Sequence, residues 1–230
     1  MDDIDRMAPV RIEDRVKLYS YFRSSASYRV RIALNLKRLP YECVPVHLVR
    51  NGGEQFSSAY SNINPERLVP TLLDGSQPPM TQSLAIIEYL DEIQPDPPLL
   101  PRDSAGRAYV RSLSLQIACE IHPLNNLRVL KYLTANLGLT EEAKLAWYRH
   151  WVEVGFESLE TRLVSDKRTG RFCVGDAPTM ADLCLVPQVF NAQRFSVDVG
   201  RFPILTRINE NAIALAAFAQ AAPDRQPDSA

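Results

Sequence analysis

Residues 22–34 read FRSSASYRVRIAL. Ser24, Ser25 and Ser27 gather where an apolar stretch, VKLYSY (16–21), gives way to a helix-like repeat, with Arg23 just ahead of them. The first turn of a helix has unpaired N–H groups and the positive end of the dipole, so hydroxyls placed there can donate to an anion. A thiol of pKa about 8.5 is only a few per cent ionised at neutral pH, and lowering it by about two units takes roughly 2.7 kcal/mol. The helix dipole supplies about 0.3–1 kcal/mol. One hydrogen bond to a charged sulfur supplies about 1.5–3 kcal/mol. A positioned serine hydroxyl would therefore dominate in holding a thiolate, with the helix end assisting. The same serines would equally serve as ordinary N-caps, and this segment alone leaves both readings open.

Two further segments bear on the choice. In RLVPTLLD (67–74), a proline after an extended residue suggests a tight, cis Val69–Pro70 bond, with Val69 offering outward backbone groups to an added strand of peptide. In TQSLAII, Gln82 and Ser83 stand at a helix N-terminus, which can receive a carboxylate. A thiolate site, a strand-like slot and a carboxylate pocket together describe a receptor for a small thiol peptide. Other chemistries find little support. No Ser/His/Asp arrangement makes a hydrolytic nucleophile, and there is no dinucleotide or P-loop fingerprint. Cys43, Cys119, Cys173 and Cys184 show no CxxC spacing and read as reduced packing residues; His47, His122 and His150 are too scattered for a metal site.

The elements that must position these residues are legible in outline. VKLYSY is a strand and 25–37 a helix, with Arg29 and Arg31 expected on its solvent side. YECVPVHLV (41–49) is a strand that Pro45 confines to an edge or a bulge. GGEQFSSAYSNINP holds a loop and a short helix; VPTLLD (69–74) and the neighbourhood of Met80 are short strands; TQSLAIIEYLDEI (81–93) is a helix. A parallel pair joined by a helix, then a hairpin and a last helix, is an α/β sandwich. The four prolines of QPDPPLLPRD (94–103) mark a linker. Helices are expected over 104–135, 141–164, 179–192 and 205–220, an all-α second domain. Thr179 and Asp182 form a capping box with a structural role. Residues 1–15 read as a disordered leader, 16–94 as the first domain and 103–230 as the second.

Lys and Arg total 26 against 27 Asp and Glu, for a net charge of −1. That balance does not suggest a nucleic-acid or membrane-surface binder. The acidic start MDDIDRMAPV is no signal peptide, and the most apolar run (212–222) is about half the length that spans a bilayer. The expected location is the cytoplasm.

The chain resembles the zeta class of glutathione transferases, which includes maleylacetoacetate and maleylpyruvate isomerases. The likeness runs over about residues 16–228, through LYSYFRSSASYRVRIAL, NGGEQF, NPERLVPTL, QSLAIIEYLDE, IHPLNNLRVL, VGDAPTMADLCLVPQV, NAQRFSVD and RQPD. It implies a thioredoxin-like N-terminal domain, an all-α C-terminal domain, a homodimer, and glutathione as a cofactor that is not consumed. By position, Ser24 would hold the thiolate with Ser25 beside it. Gln55, Val69 and Pro70 would contact glutathione, Gln82 and Ser83 its γ-glutamyl end, and His122, Asn126 and Arg128 would close over the site. Arg194 would face a small dicarboxylic substrate, and Arg23 is a second candidate for that anion. By residue type alone, Arg194 and Arg23 could be surface ion-pair residues and His122 a hydrogen-bonded structural one. One departure stands out: the class often carries SSCS where this chain has SSAS, with Ala26 in the cysteine's place. The activity implied is cis–trans isomerisation of maleylacetoacetate, with maleylpyruvate or small α-haloacids as alternative substrates. A non-catalytic interaction module is the reading from a different class.

Overall fold

The computed structural model describes residues 16–229, so the leader expected over 1–15 lies outside the described residues. Four strands form one mixed sheet in the order β2-β1-β3-β4: β1 (Val16–Ser20), β2 (Tyr41–Pro45), β3 (Thr71–Leu73) and β4 (Met80–Thr81). β1 runs parallel to β2 and antiparallel to β3, and β3 pairs antiparallel with β4. Pro45 closes β2 on the sheet's edge, where a missing N–H breaks no inner ladder. α1 (Ser25–Leu36) joins β1 to β2, the short α2 (Ser58–Ser61) precedes β3, and α3 (Ser83–Ile93) follows β4. Leu18 and Leu72 face each other across β1 and β3; both are fully buried in a cluster with Val30, Ile32 and Leu34 of α1 and Ile86, Ile87 and Leu90 of α3.

Residues 94–103 carry neither helix nor strand. They are pinned by a buried ion pair. Lys37 Nζ donates to Asp91 at 2.6 Å and to the Pro97 carbonyl at 2.5 Å, and Asp91 also accepts the Leu99 N–H at 2.8 Å. Beyond them come α4 (Ser104–Leu115), α5 (Leu127–Ala135), α6 (Glu141–Ser165), α7 (Met180–Arg194), α8 (Pro203–Ile213) and α9 (Ala216–Ala221). α7 is buried from Met180 to Val189 and packs against α1, α4 and α8.

Three expectations need correction. The run expected as one helix over 104–135 is broken. After α4 the chain loosens into a π-helical stretch, Gln116–Ile121, and a 3-10 turn, Pro123–Asn125, before Asn126 caps α5. Pro123 has no N–H to continue the ladder, and Gly155 of α6 lies so close to Ile121 that a Cβ there would meet its Cδ1 at 2.3 Å. The second break splits 205–220 at Ala214–Leu215, where no breaker residue stands. Its cause is tertiary: Arg31 Nε donates to the Ala221 carbonyl at 2.9 Å and Asn35 Nδ2 to that of Ala217 at 2.9 Å, which fixes α9 against α1. The third correction concerns Arg29 and Arg31, which are 1% and 0% exposed rather than solvent-facing. α1 has no solvent face where they sit, because α3, α7 and α9 all pack on it.

The capping box forms and reaches further than its helix. The buried Asp182 carboxylate accepts the Thr179 N–H at 2.7 Å and its hydroxyl at 2.9 Å, and the Cys173 N–H at 2.8 Å. It thereby ties the preceding loop to the start of α7. Asp182→Ala leaves two buried N–H groups without an acceptor, and the expected loss is about 2–4 kcal/mol. Urea unfolding measures it; a loss within about 0.5 kcal/mol, the range of a featureless surface site, would show that the loop holds without the carboxylate.

Candidate active site

The start of α1 combines both roles that the sequence left open. Ser24 is the N-cap, extended at φ −69°, and its Oγ accepts the Ser27 N–H at 3.2 Å. Accepting a bond uses a lone pair and leaves the hydroxyl hydrogen free to donate. The loop that presents Ser24 is held from behind by Arg31, which donates from Nη1 to Ser20 Oγ at 3.0 Å and from Nη2 to the Phe22 carbonyl at 3.1 Å. From the other end of the chain, Asp228 accepts the Phe22 N–H at 3.0 Å. Burial pushes the Arg31 pKa down to about 10, so it is still a cation at neutral pH.

Next to Ser24, Ser25 is buried and its Oγ lies 2.8 Å from His122 Nδ1. Burial, reinforced by the charges of Arg29 and Arg128, takes the His122 pKa down to about 3. The ring is therefore neutral and serves as a hydrogen-bond partner. The π-helical stretch and Pro123 turn bring His122 and Asn126 to this place.

Around the serines lies a cleft of two lobes that share Leu68, Val69, His122 and Asn126 as a common wall. The first lobe contains Arg23, Ser24 and Ser25, with Tyr21, Tyr148, Asn191 and Arg194 around them. The second is lined by Arg29, Pro70, Gln82, Ser83, Cys119 and Arg128, among others. The Val69–Pro70 bond is cis, and no protein group among the described residues takes the Val69 N–H or carbonyl. Gln82 holds a positive φ of 66° just before Ser83 opens α3, a conformation uncommon for a residue with a side chain. Its amide donates to Glu66 at 3.0 Å.

Of the twelve residues singled out from sequence, eleven line one lobe or the other. Gln55 does not. Its buried amide folds back over Gly53, where an added Cβ would meet Nε2 at 2.7 Å. Cys119, expected as a packing residue, is exposed; Cys173 and Cys184 are buried.

The electrostatics are one-sided. Arg23 and Arg194 lie over the Phe22 and Phe195 rings, at 4.8 and 4.9 Å from the centroids, and neither has a carboxylate partner among the described residues. Partial burial, then the nearby Arg23, hold the Arg194 pKa below the ordinary arginine value. Arg29 is buried with a single bond, Nη1 to Ser83 Oγ at 3.3 Å, while its Nε and Nη2 are unpartnered. Glu66 also lines the second lobe, but it pairs with none of these arginines; a cleft whose cations outnumber its acids is a place for anions. Sequence reading passed over Arg29 as bland, and it passed over the polar floor of the first lobe, Gln188 and Asn125. The signal available for Gln188 was helical spacing: Gln188, Asn191 and Arg194 recur at i, i+3 and i+6 on α7.

Comparison with known proteins adds to the geometry. The family described as "Glutathione S-transferase, N-terminal domain" matches residues 18–98. A "Probable maleylacetoacetate isomerase" of Vibrio cholerae is 54% identical over 212 residues, covering 92% of this chain and 97% of its own. A solved maleylpyruvate isomerase, named as a bacterial glutathione S-transferase of the zeta class, superposes with a TM-score of 0.90 at 47% identity, over 93% of this chain and 100% of that one. A maleylacetoacetate isomerase from Methylobacterium extorquens, solved with malonate and GSH, gives 0.89 at 45% identity, over 93% and 99%.

The depressed pKa of His122 fixes a pH dependence. Below about pH 6.5 the unfolded histidine takes a proton that the folded one refuses. This part of the stability is complete above pH 6.5 and is lost as pH falls toward 3. Between pH 7 and 5 the loss is about 2 kcal/mol. His122→Gln should flatten the profile by that amount in urea titrations at the two pH values; an unchanged profile would place the ring in water.

Proposed function

The chain belongs to the zeta class of glutathione transferases, and from that premise we propose that it is a glutathione-dependent cis–trans isomerase whose substrate is maleylacetoacetate. The observation that carries the reading is a combination on one cleft. The Ser24 hydroxyl has its hydrogen unclaimed, and Arg23 and Arg194 line the same lobe without carboxylate partners among the described residues. The Methylobacterium relative binds malonate, also a dicarboxylate, together with GSH.

The residues present suit glutathione as the cofactor. Val69 has free backbone groups for an extended peptide, and Ser83, the N-terminus of α3 and the unpartnered Arg29 suit its γ-glutamyl carboxylate. His122, Asn126 and Arg128 close the second lobe over it. When bound, glutathione supplies a sulfur that adds to one end of the conjugated double bond; the displaced pair rests on the carbonyl oxygen, the former double bond rotates, and the pair's return expels the sulfur unchanged. The protein's part is to donate from Ser24 to the sulfur's charge, with Ser25 held beside it by His122. The two arginines orient the carboxylates, since a guanidinium fork pairs with both oxygens of one.

Maleylpyruvate is the alternative substrate, because it offers the same cis enone beside a carboxylate; the solved maleylpyruvate isomerase supports it. The same reading divides the chain into a glutathione-binding domain, 16–94, and a helical domain, 103–230, and gives a homodimer. It locates the enzyme in the cytoplasm, which suits four cysteines that all stay unpaired.

Mixing the purified protein with glutathione and maleylacetoacetate should abolish the cis-enedione absorbance at a rate that vanishes without glutathione. No glutathione-dependent rate would leave a binding module. The ratio of rates with maleylacetoacetate and maleylpyruvate assigns the preferred substrate. Ser24→Ala should lower kcat/KM about a hundredfold and raise the apparent pKa of bound thiol by about 1–2 units, the worth of one bond to a charged sulfur. Thiolate absorbance against pH reads the shift, and an unmoved titration would assign the ionisation to another group. Arg194→Met should raise KM for the diacid about tenfold and leave a neutral electrophile nearly unaffected, one lost charge-assisted bond; equal effects on both would make Arg194 structural.

A further inference from the structure

We propose that the side-chain amide of Gln188 is the hydrogen-bond donor to the substrate's carbonyl oxygen, and so a catalytic residue of the isomerisation; this rests on the reading above. Gln188 lines the first lobe of the cleft from the middle of α7 and is 1% exposed. Both its Nε2 and its Oε1 are buried without a hydrogen-bond partner. Folded proteins seldom leave both ends of an amide unpaired, because each unpaired end lowers stability. A group kept in that condition on the wall of a reaction cleft is poised for a ligand. In the same lobe, Asn125 also presents a buried, unpartnered Oδ1, while its Nδ2 donates to the Tyr148 carbonyl at 3.3 Å.

The spacing fits a diacid with a carbonyl between its ends. Gln188 and Arg194 both line the first lobe from α7, about 9 Å apart along its axis at 1.5 Å per residue. With a carboxylate on Arg194 at the mouth, an oxygen several atoms further in comes to the depth of Gln188. An amide also suits the demand. The oxygen gains an electron pair when the double bond opens and returns it when the bond re-forms, with no net proton transfer. A neutral N–H stabilises that charge without giving up its proton, so the oxygen is not trapped as an enol.

The test is Q188L, similar in size and without the amide, with Q188M as a second variant. The expected result is a melting temperature equal to or above wild type, glutathione affinity within about twofold, and kcat lower by about ten- to a hundredfold. A binding pair reads the same contact without turnover: a keto diacid and its methylene analogue, titrated in the presence of glutathione. Wild type should favour the keto compound about tenfold, and Q188L should bind both alike. A kcat within twofold of wild type, an unchanged keto preference, or failure of both variants to fold overturns the assignment. An inactive wild type would instead sink the isomerase reading, and the binding pair would still report on the amide.

Discussion

The oxygen of Ser24 lies 3.2 Å from the Ser27 N–H, and much of the molecule is arranged to keep that turn in place. A capping hydroxyl accepts one bond and can give another, so a single serine can start a helix and still meet an anion. For that double use the turn must not move. Arg31, fully buried, donates to Ser20 and Phe22 on one side and to Ala221 on the other. Ser25 is fixed through His122, which is delivered by an irregular helix that Gly155 lets approach. The scaffold thus converges on one helix start from the sheet, from the π-helical stretch and from the C-terminal end of the described chain.

The charge distribution follows from the same site. Over the whole sequence the charges nearly cancel, yet the cleft gathers Arg23, Arg29, Arg128 and Arg194, for which the ion pairs among the described residues offer no acid. Some cations elsewhere do pair with acids, as Lys37 with Asp91 and Arg111 with Glu88. Unpaired guanidiniums beside one another, and a buried one with a single hydrogen bond, oppose folding. Their concentration where a tripeptide and a diacid would both bring carboxylates is the electrostatic counterpart of the free serine hydrogen. His122 adds no positive charge to this group, because burial and its two arginine neighbours keep the ring neutral.

Much of this was readable from sequence where the cause is local. The parallel pair and the hairpin follow from short apolar runs and turns, the start of α1 from clustered serines, and the Thr179–Asp182 box from a three-residue spacing. Residue chemistry and position in the known family together supplied eleven residues that line the cleft. What escaped had distant causes. Arg29 and Arg31 look solvent-facing on an isolated helix and are buried because α3, α7 and α9 surround it. The split between α8 and α9 has no breaker residue; it comes from side chains of α1 taking α9 carbonyls. Gln188 reads as one more residue of a buried helix until its two ends are seen to lack partners.

The bond from the Phe22 N–H to Asp228 spans 206 positions along the chain. During synthesis the serine loop near the start emerges early, whereas its clasp leaves the ribosome some two hundred codons later. The tunnel-bound chain can therefore assemble its sheet well before the catalytic turn acquires its final tether. A nascent polypeptide halted ahead of residue 228 would carry every cleft side chain discussed above and present Ser24 on a loop held by Arg31 but not by Asp228.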